Sequence, residues 1–167
     1  MSTTERAAHP FAPVVDANCR VLVLGSFPSV KSRENGFYYG HPRNRFWQVT
    51  ARVFGEPVPQ TVAEKRDMLL RHGVAMWDVI ASCEIEGSSD SSVRNAVPVD
   101  IAKITGVCRI ERVLCNGALA GKLYERYLQA ALGLPATVLP STSPANAAWS
   151  VDRLTEAWAA AMGNVET

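Results

Sequence analysis

The sequence predicts a single three-layer α/β/α domain built on a mostly parallel four-stranded sheet, and three observations carry that prediction. Short continuous apolar runs rich in Val, Leu and Ile recur along the 167 residues, and each ends in small or polar residues, as strands buried on both faces do. Segments with apolar residues at helical spacing separate these runs. No internal repeat and no low-complexity linker interrupts the alternation, so one domain is expected.

Residues 1–18, with Pro10 and Pro13 among small polar residues, read as an N-terminal arm lying against a domain of residues 19–163, with 164–167 a C-terminal tail. Cys19 to Leu24 (CRVLVL) is the first strand, ended by Gly25-Ser26. Pro42 suits the first turn of a helix, whose inward stripe is Phe46, Val49, Val53 and Phe54 and whose end is Gly55. Thr61-x-x-Glu64 is a capping-box pattern that opens a second helix through Leu69 and Leu70, with Gly73 closing it. Val74 to Ile80 (VAMWDVI) is the second strand, and its internal Asp78 demands an explanation.

From Ser82 to Asn95 the Ser-rich run reads as a surface loop. Asp100 suits the cap of a short turn over 101–104, and Arg109 to Cys115 is the third strand, ending at Asn116-Gly117. Leu119, Leu123, Tyr127 and Ala130 give a helix its inward face until Gly133. Thr137 to Leu139 is a fourth strand, 140–147 (PSTSPANA) a polar loop, and Leu154, Trp158 and Met162 mark one face of a last helix.

Composition bounds the function. Hydrophobic residues make up 47% and charged residues 20%, a globular balance, while a formal net charge of +1 excludes a grossly basic nucleic-acid coat. Any anionic partner must therefore meet a local patch. No apolar run approaches a membrane span, and residues 1–13 lack the apolar core of a secretory signal, so a cytoplasmic location and no membrane partner are expected; the protein is also read as a monomer. Cys19, Cys83, Cys108 and Cys115 have no paired spacing, and they read as small buried residues rather than disulfides or metal ligands. There is neither a G-x-x-x-x-G-K-[ST] nor a G-x-G-x-x-G, which disfavours nucleotide cofactors.

The chemistry concentrates between Gly25 and Trp47 (GSFPSVKSRENGFYYGHPRNRFW), a mixture too polar for a core and too aromatic for a passive linker. It leaves the carboxyl end of the first strand, where open α/β sheets place their ligands. The loops at 78–95 and 140–147 leave later strands at the same end, so three loops converge on one crevice.

GSFPS, GFYYGHPRNRFW, WDVIASCEIEGSSDSSVRN, LCNG and LPSTSPANA, in that order, resemble the motifs of the uracil-DNA glycosylase superfamily, most closely its hypoxanthine-DNA glycosylase branch. The resemblance covers residues 19–160. It implies an α/β enzyme that binds double-stranded DNA, extrudes a deaminated base, and hydrolyses its N-glycosidic bond without metal or other cofactor. Such chemistry passes through an oxocarbenium-like sugar and needs a positioned water, donors for the departing base and a flat surface to hold the ring. Uracil or mixed mismatch specificity, or damaged-base binding without catalysis, are the alternatives.

Where uracil-specific relatives carry Asp or Asn two positions after the first-motif Gly, this chain has Phe27. Asn44 is then the nearest polar group in the motif to position water, and Ser143 in the last loop supports the leaving base. Phe27, Phe37, Tyr38 and Tyr39 are candidates for base stacking, with Ser26 beside them. Asp78 corresponds to the base-edge amide of uracil enzymes, and a carboxylate there accepts the N1–H of hypoxanthine. Lys31, Arg33, Arg43 and Arg45 form a local basic patch, and His41, Ser141 and Asn146 join Lys31, Arg43 and Arg45 as candidate DNA contacts. Ser141 and Ala145 stand where broader uracil enzymes often have a His and a bulky wedge.

Overall fold

The computed structural model describes residues 4–9, 11–27, 36–86 and 94–162, over which seven strands fall into two sheets. In chain order these are β1 (Thr4–Ala8), β2 (Val21–Gly25), β3 (Val74–Asp78), β4 (Ile80–Glu86), β5 (Arg94–Pro98), β6 (Arg112–Asn116) and β7 (Ala136–Leu139). The helices are α1 (Phe46–Phe54), α2 (Val62–Arg71), α3 (Ala102–Thr105), α4 (Ala118–Tyr127), α5 (Gln129–Leu132) and α6 (Val151–Met162).

The expected four-stranded sheet is present, in the order β3-β2-β6-β7 with every pairing parallel. Its central strand β2 is buried along its whole length, which explains why VLVLG reads as an unbroken apolar run. Each large aliphatic side chain taken from water in this way contributes about 1.5–3 kcal/mol. Helices α4 and α6 pack on the later strands, α2 on β3, and α1 on α6. Thr61 and Glu64 complete the expected capping box of α2.

The chain leaves β2 for β3 on one side and later returns to β6 on the other. The carboxyl ends of β2 and β6 therefore flank the point where strand order reverses, the usual location of a ligand crevice. Gly25, Asp78 and Asn116 close three adjoining strands there, Gly25 directly paired with Asp78.

Four expectations need correction. The run from Ser82 to Asn95 is not simply a loop: β4 and β5 pair antiparallel, leaving 87–93 outside the described residues. The N-terminal segment is more than an arm, because β1 pairs with β4 from Thr4↔Glu86 to Ala8↔Ser82, and Val14 bridges Met76 of β3. Non-local pairing creates this second sheet from residues of weak strand propensity. Pro42 lies in a turn and not in the helix, which starts only at Phe46. The predicted helix ending at Gly133 is interrupted at Leu128 into α4 and α5.

Candidate functional site

Gly25 sits at the centre of the site because the space beside it is taken. A Cβ there would lie 2.3 Å from Asp78 Oδ1 and 2.8 Å from the Tyr39 hydroxyl. Two polar atoms from separate segments thus converge on one backbone position that tolerates no side chain.

Asp78 is 3% exposed. Its Oδ2 pairs with His9 Nε2 at 2.8 Å, across 69 residues of sequence. His9 Nδ1 accepts the Phe11 N–H at 3.1 Å, so the ring proton sits on Nε2 and is donated to the carboxylate. Asp78 Oδ1 has no hydrogen bond to a described residue, and it is the oxygen beside Gly25.

Tyr39 adopts φ +53°, a left-handed conformation rare for a bulky residue. Its ring stacks on Phe46 at 4.2 Å, so one face is covered, and its buried hydroxyl makes no hydrogen bond among the described residues. Burial first, then the Asp78 charge, push its phenol far up, with the nearby Asn116 amide partly offsetting them. Phe37 and Tyr38 face elsewhere: the Tyr38 hydroxyl donates to Ala12 O at 2.9 Å, while Phe37 lies among Phe11, Tyr38 and Trp47. They pack the N-terminal segment against α1. Phe27, buried, meets the His9 ring edge-on at 5.9 Å, and Ser26 uses its carbonyl to accept Ile80 N–H at 3.1 Å.

These phenols set a pH limit on the fold. Burial pushes Tyr38 far up, aided by the Asp78 charge, and pushes Tyr124 up to about 12. A phenol held neutral in the folded state loses that advantage only above the unfolded value of about 10. Thermal melting should therefore show an unchanged Tm from these groups up to about pH 10. Above it, stability should fall by about 1.4 kcal/mol per pH unit for each phenol still neutral. Melts recorded from pH 8 to 11.5 with no alkaline decline would contradict this.

The second part of the site is held by a threonine. Asn44 Oδ1 accepts the Phe46 N–H at 2.9 Å and the Thr142 hydroxyl at 2.9 Å. Both lone pairs of the amide oxygen are thereby engaged, and the side chain faces its surroundings as an Nδ2 donor. Thr142, fully buried, accepts from Asn116 Nδ2 at 3.0 Å, and its N–H donates to Asn116 Oδ1 at 3.0 Å. One residue therefore orients both amides. Arg45 N–H donates to the Thr142 carbonyl at 3.1 Å, joining the start of α1 to the last loop.

Arg45 departs from its expected place against DNA phosphates. Its guanidinium donates to the carbonyls of Trp149, Ser143 (2.8 Å) and Asn146 (3.1 Å), and so holds the last loop in shape. Arg43 is exposed. Lys31 and Arg33 lie outside the described residues. His41 Nδ1 accepts the Arg43 N–H at 3.0 Å, which shapes the turn before α1.

In the last loop, Ser141 Oγ accepts from Ser143 N–H and Ser143 Oγ from Ala145 N–H, each at 3.1 Å, while Asn146 Nδ2 donates to Ser141 O at 3.0 Å. These residues border an open cavity of about 610 Å³, also lined by Gly117 and Trp149. Gly117 at φ +97° turns the chain from β6 into α4, where a Cβ would press on Ser141 Cβ at 3.3 Å.

Sequence reasoning missed His9, Thr142 and Asn116. Asn116 carried a signal, as the polar end of an apolar strand in LCNG, whereas His9 and Thr142 have only their distant partners to mark them. The four cysteines are free, and burial pushes Cys115, beside Asn116, up to about 12, which keeps it a neutral thiol rather than a nucleophile near neutrality. Among the described residues no group of three His, Cys, Asp or Glu is placed to hold a metal ion. No helix among them is long and apolar enough to cross a membrane.

Known proteins resemble this chain in sequence and fold. The family described as the uracil DNA glycosylase superfamily matches residues 12–161. A hypoxanthine DNA glycosylase of Methanosarcina acetivorans is 36% identical over 148 residues, covering 87% of this chain and 92% of that protein. Another, from Methanosarcina barkeri, is 33% identical over 138 residues, covering 81% and 86%. A candidate uracil DNA glycosylase from M. acetivorans, solved by solution NMR, superposes with a TM-score of 0.80 at 33% identity, over 94% of this chain and 97% of that one.

Proposed function

The chain belongs to the uracil DNA glycosylase superfamily, and from that premise we propose that it is a monofunctional DNA glycosylase releasing hypoxanthine from deoxyinosine in duplex DNA. The observation that carries the choice of base is Asp78, a buried carboxylate with one oxygen engaged by His9 and the other beside Gly25, without a hydrogen bond among the described residues. An open carboxylate oxygen accepts a lactam N–H, as in hypoxanthine, and opposes the N1 lone pair of adenine.

In this reading the base, extruded from the duplex, enters at the ends of β2, β3 and β6 with its lactam edge toward Asp78. Bond breaking to an oxocarbenium-like sugar runs ahead of water attack, so a placed neutral water suffices and no strong base is needed. Asn44 fills the role that Phe27 cannot: its Nδ2 donates to the water oxygen, and Thr142 keeps the amide from turning. The last loop, with Ser143, Ser141 and Asn146, supports the leaving base and the DNA strand, and Arg43, His41 and Lys31 contribute phosphate contacts.

The test is a set of labelled duplexes bearing inosine, uracil, xanthine or thymine opposite each normal base, incubated under single-turnover conditions. Inosine strands should break only after alkali, the mark of an abasic site left by a monofunctional enzyme. Preferential release of uracil would overturn the assignment of base, and intact strands throughout would overturn the activity.

A further inference from the structure

His9 lies before residues 12–161, the span that matches the family, and yet its side chain reaches the centre of the site. We propose that His9 is a positioning residue for base selection: it pins Asp78 so that an Oδ1 lone pair is aimed at the N–H edge of the extruded base. The proposal rests on the reading of Asp78 as the base-edge group.

The geometry leaves His9 little freedom. Its backbone N–H donates to Ala81 O at 2.7 Å, the first bond beyond the β1–β4 ladder, so the antiparallel sheet fixes where the residue stands. Its ring lies edge-on to Phe11 at 5.6 Å and to Phe27 at 5.9 Å, and tilted against Tyr38 at 5.5 Å. The imidazole is 4% exposed and the carboxylate side chain 5%. With Nδ1 held by the Phe11 N–H, the other tautomer would set two N–H groups against each other, so Nε2–H remains the donor to Asp78.

A carboxylate is symmetric, and about its last torsion the two oxygens interchange readily. Unrestrained, the plane of the carboxylate turns, and with it the direction in which a lone pair meets the lactam N–H of hypoxanthine. The Nε2–H bond to Oδ2 fixes that plane and leaves Oδ1 beside Gly25. The second sheet thus places the group that fixes the orientation of Asp78.

The experiment compares release of hypoxanthine with release of unsubstituted purine from deoxynebularine, whose N1 is an acceptor, in matched duplexes under single-turnover conditions with the full-length protein. His9→Phe keeps the aromatic packing and removes the donor, and His9→Gln restores an N–H. His9→Phe should lower the hypoxanthine-to-purine rate ratio on the order of 10- to 100-fold, the worth of one hydrogen bond to a charged group, and His9→Gln should recover most of it. A cooperative melt verifies folding. If His9→Phe does not fold, His9→Leu takes its place, and if neither folds the His9→Gln ratio decides alone, a wild-type value supporting the proposal and a collapsed value overturning it.

An unchanged ratio in the folded non-donor variant overturns the role of His9. Asp78→Asn separates the two failures. If it collapses the ratio while the His9 variants do not, the base-edge reading stands and the His9 inference falls. If Asp78→Asn also leaves the ratio unchanged, the base-edge reading is lost with it.

Discussion

Asn44→Ala should leave the protein folded and lower the single-turnover rate of hypoxanthine release by on the order of 10²–10³-fold, the cost of losing one preorganised polar group at a reacting centre. The argument rests on how the amide is held. Its oxygen accepts from Phe46 N–H and the Thr142 hydroxyl, both at 2.9 Å, so the Nδ2 hydrogens have a fixed direction before substrate arrives. Asn44→Asp supplies the sharper comparison. A carboxylate can keep both existing bonds but has no hydrogen to donate. If the donor is what matters, Asp should fail as badly as Ala, whereas substantial activity in Asn44→Asp would mean that the group acts as an acceptor toward water. A near-normal rate for Asn44→Ala, with an unaltered melt, would remove the residue from the mechanism.

The second large effect belongs to a side chain that never meets substrate in this reading. Thr142→Val keeps the shape and removes the hydroxyl that accepts from Asn116 and donates to Asn44. Each amide then keeps only its bond to a backbone N–H and loses the hydroxyl that links the two, and displacement of about 1 Å at a catalytic group is enough to cost about 10²-fold in rate. Because Thr142 is fully buried, the variant also strands the Asn116 donor, at a cost of about 1–3 kcal/mol in stability. Thr142→Ser retains the hydroxyl and should recover most of the rate. A Thr142→Val enzyme slowed no more than its loss of stability predicts, or no rescue by Ser, would show that the threonine serves folding alone. The measurement is a single-turnover rate beside a denaturation curve for each variant.

Much of this was visible in advance for a simple physical reason. The parallel strands are buried on both faces, so composition alone marks VLVLG and VAMW, and a ligand crevice at their carboxyl ends follows from the alternation of strands and helices. The capping box at Thr61 and Glu64 is local chemistry within four residues, and it appears as expected. Tyr39 illustrates the opposite case. A row of three aromatics, Phe37, Tyr38 and Tyr39, suggests stacking, but which ring packs the core and which hydroxyl reaches Gly25 depends on a left-handed turn at Tyr39 itself. Arg45 likewise looks like a phosphate contact, until the fold brings three carbonyls of the last loop within its reach.

By itself, the sequence determined the α/β class, the four-stranded parallel sheet, most helices and the polar loop after β7, because burial and helical periodicity act over a few neighbouring residues. Only the tertiary structure decided the second sheet and the working parts of the site. His9 finds Asp78 across 69 residues, and Thr142 finds Asn44 across 98. Bonds of that kind leave no periodic trace. Each partner is an ordinary polar residue until the sheet ends bring it to the other, and it is their exclusion from water that gives those pairings their direction.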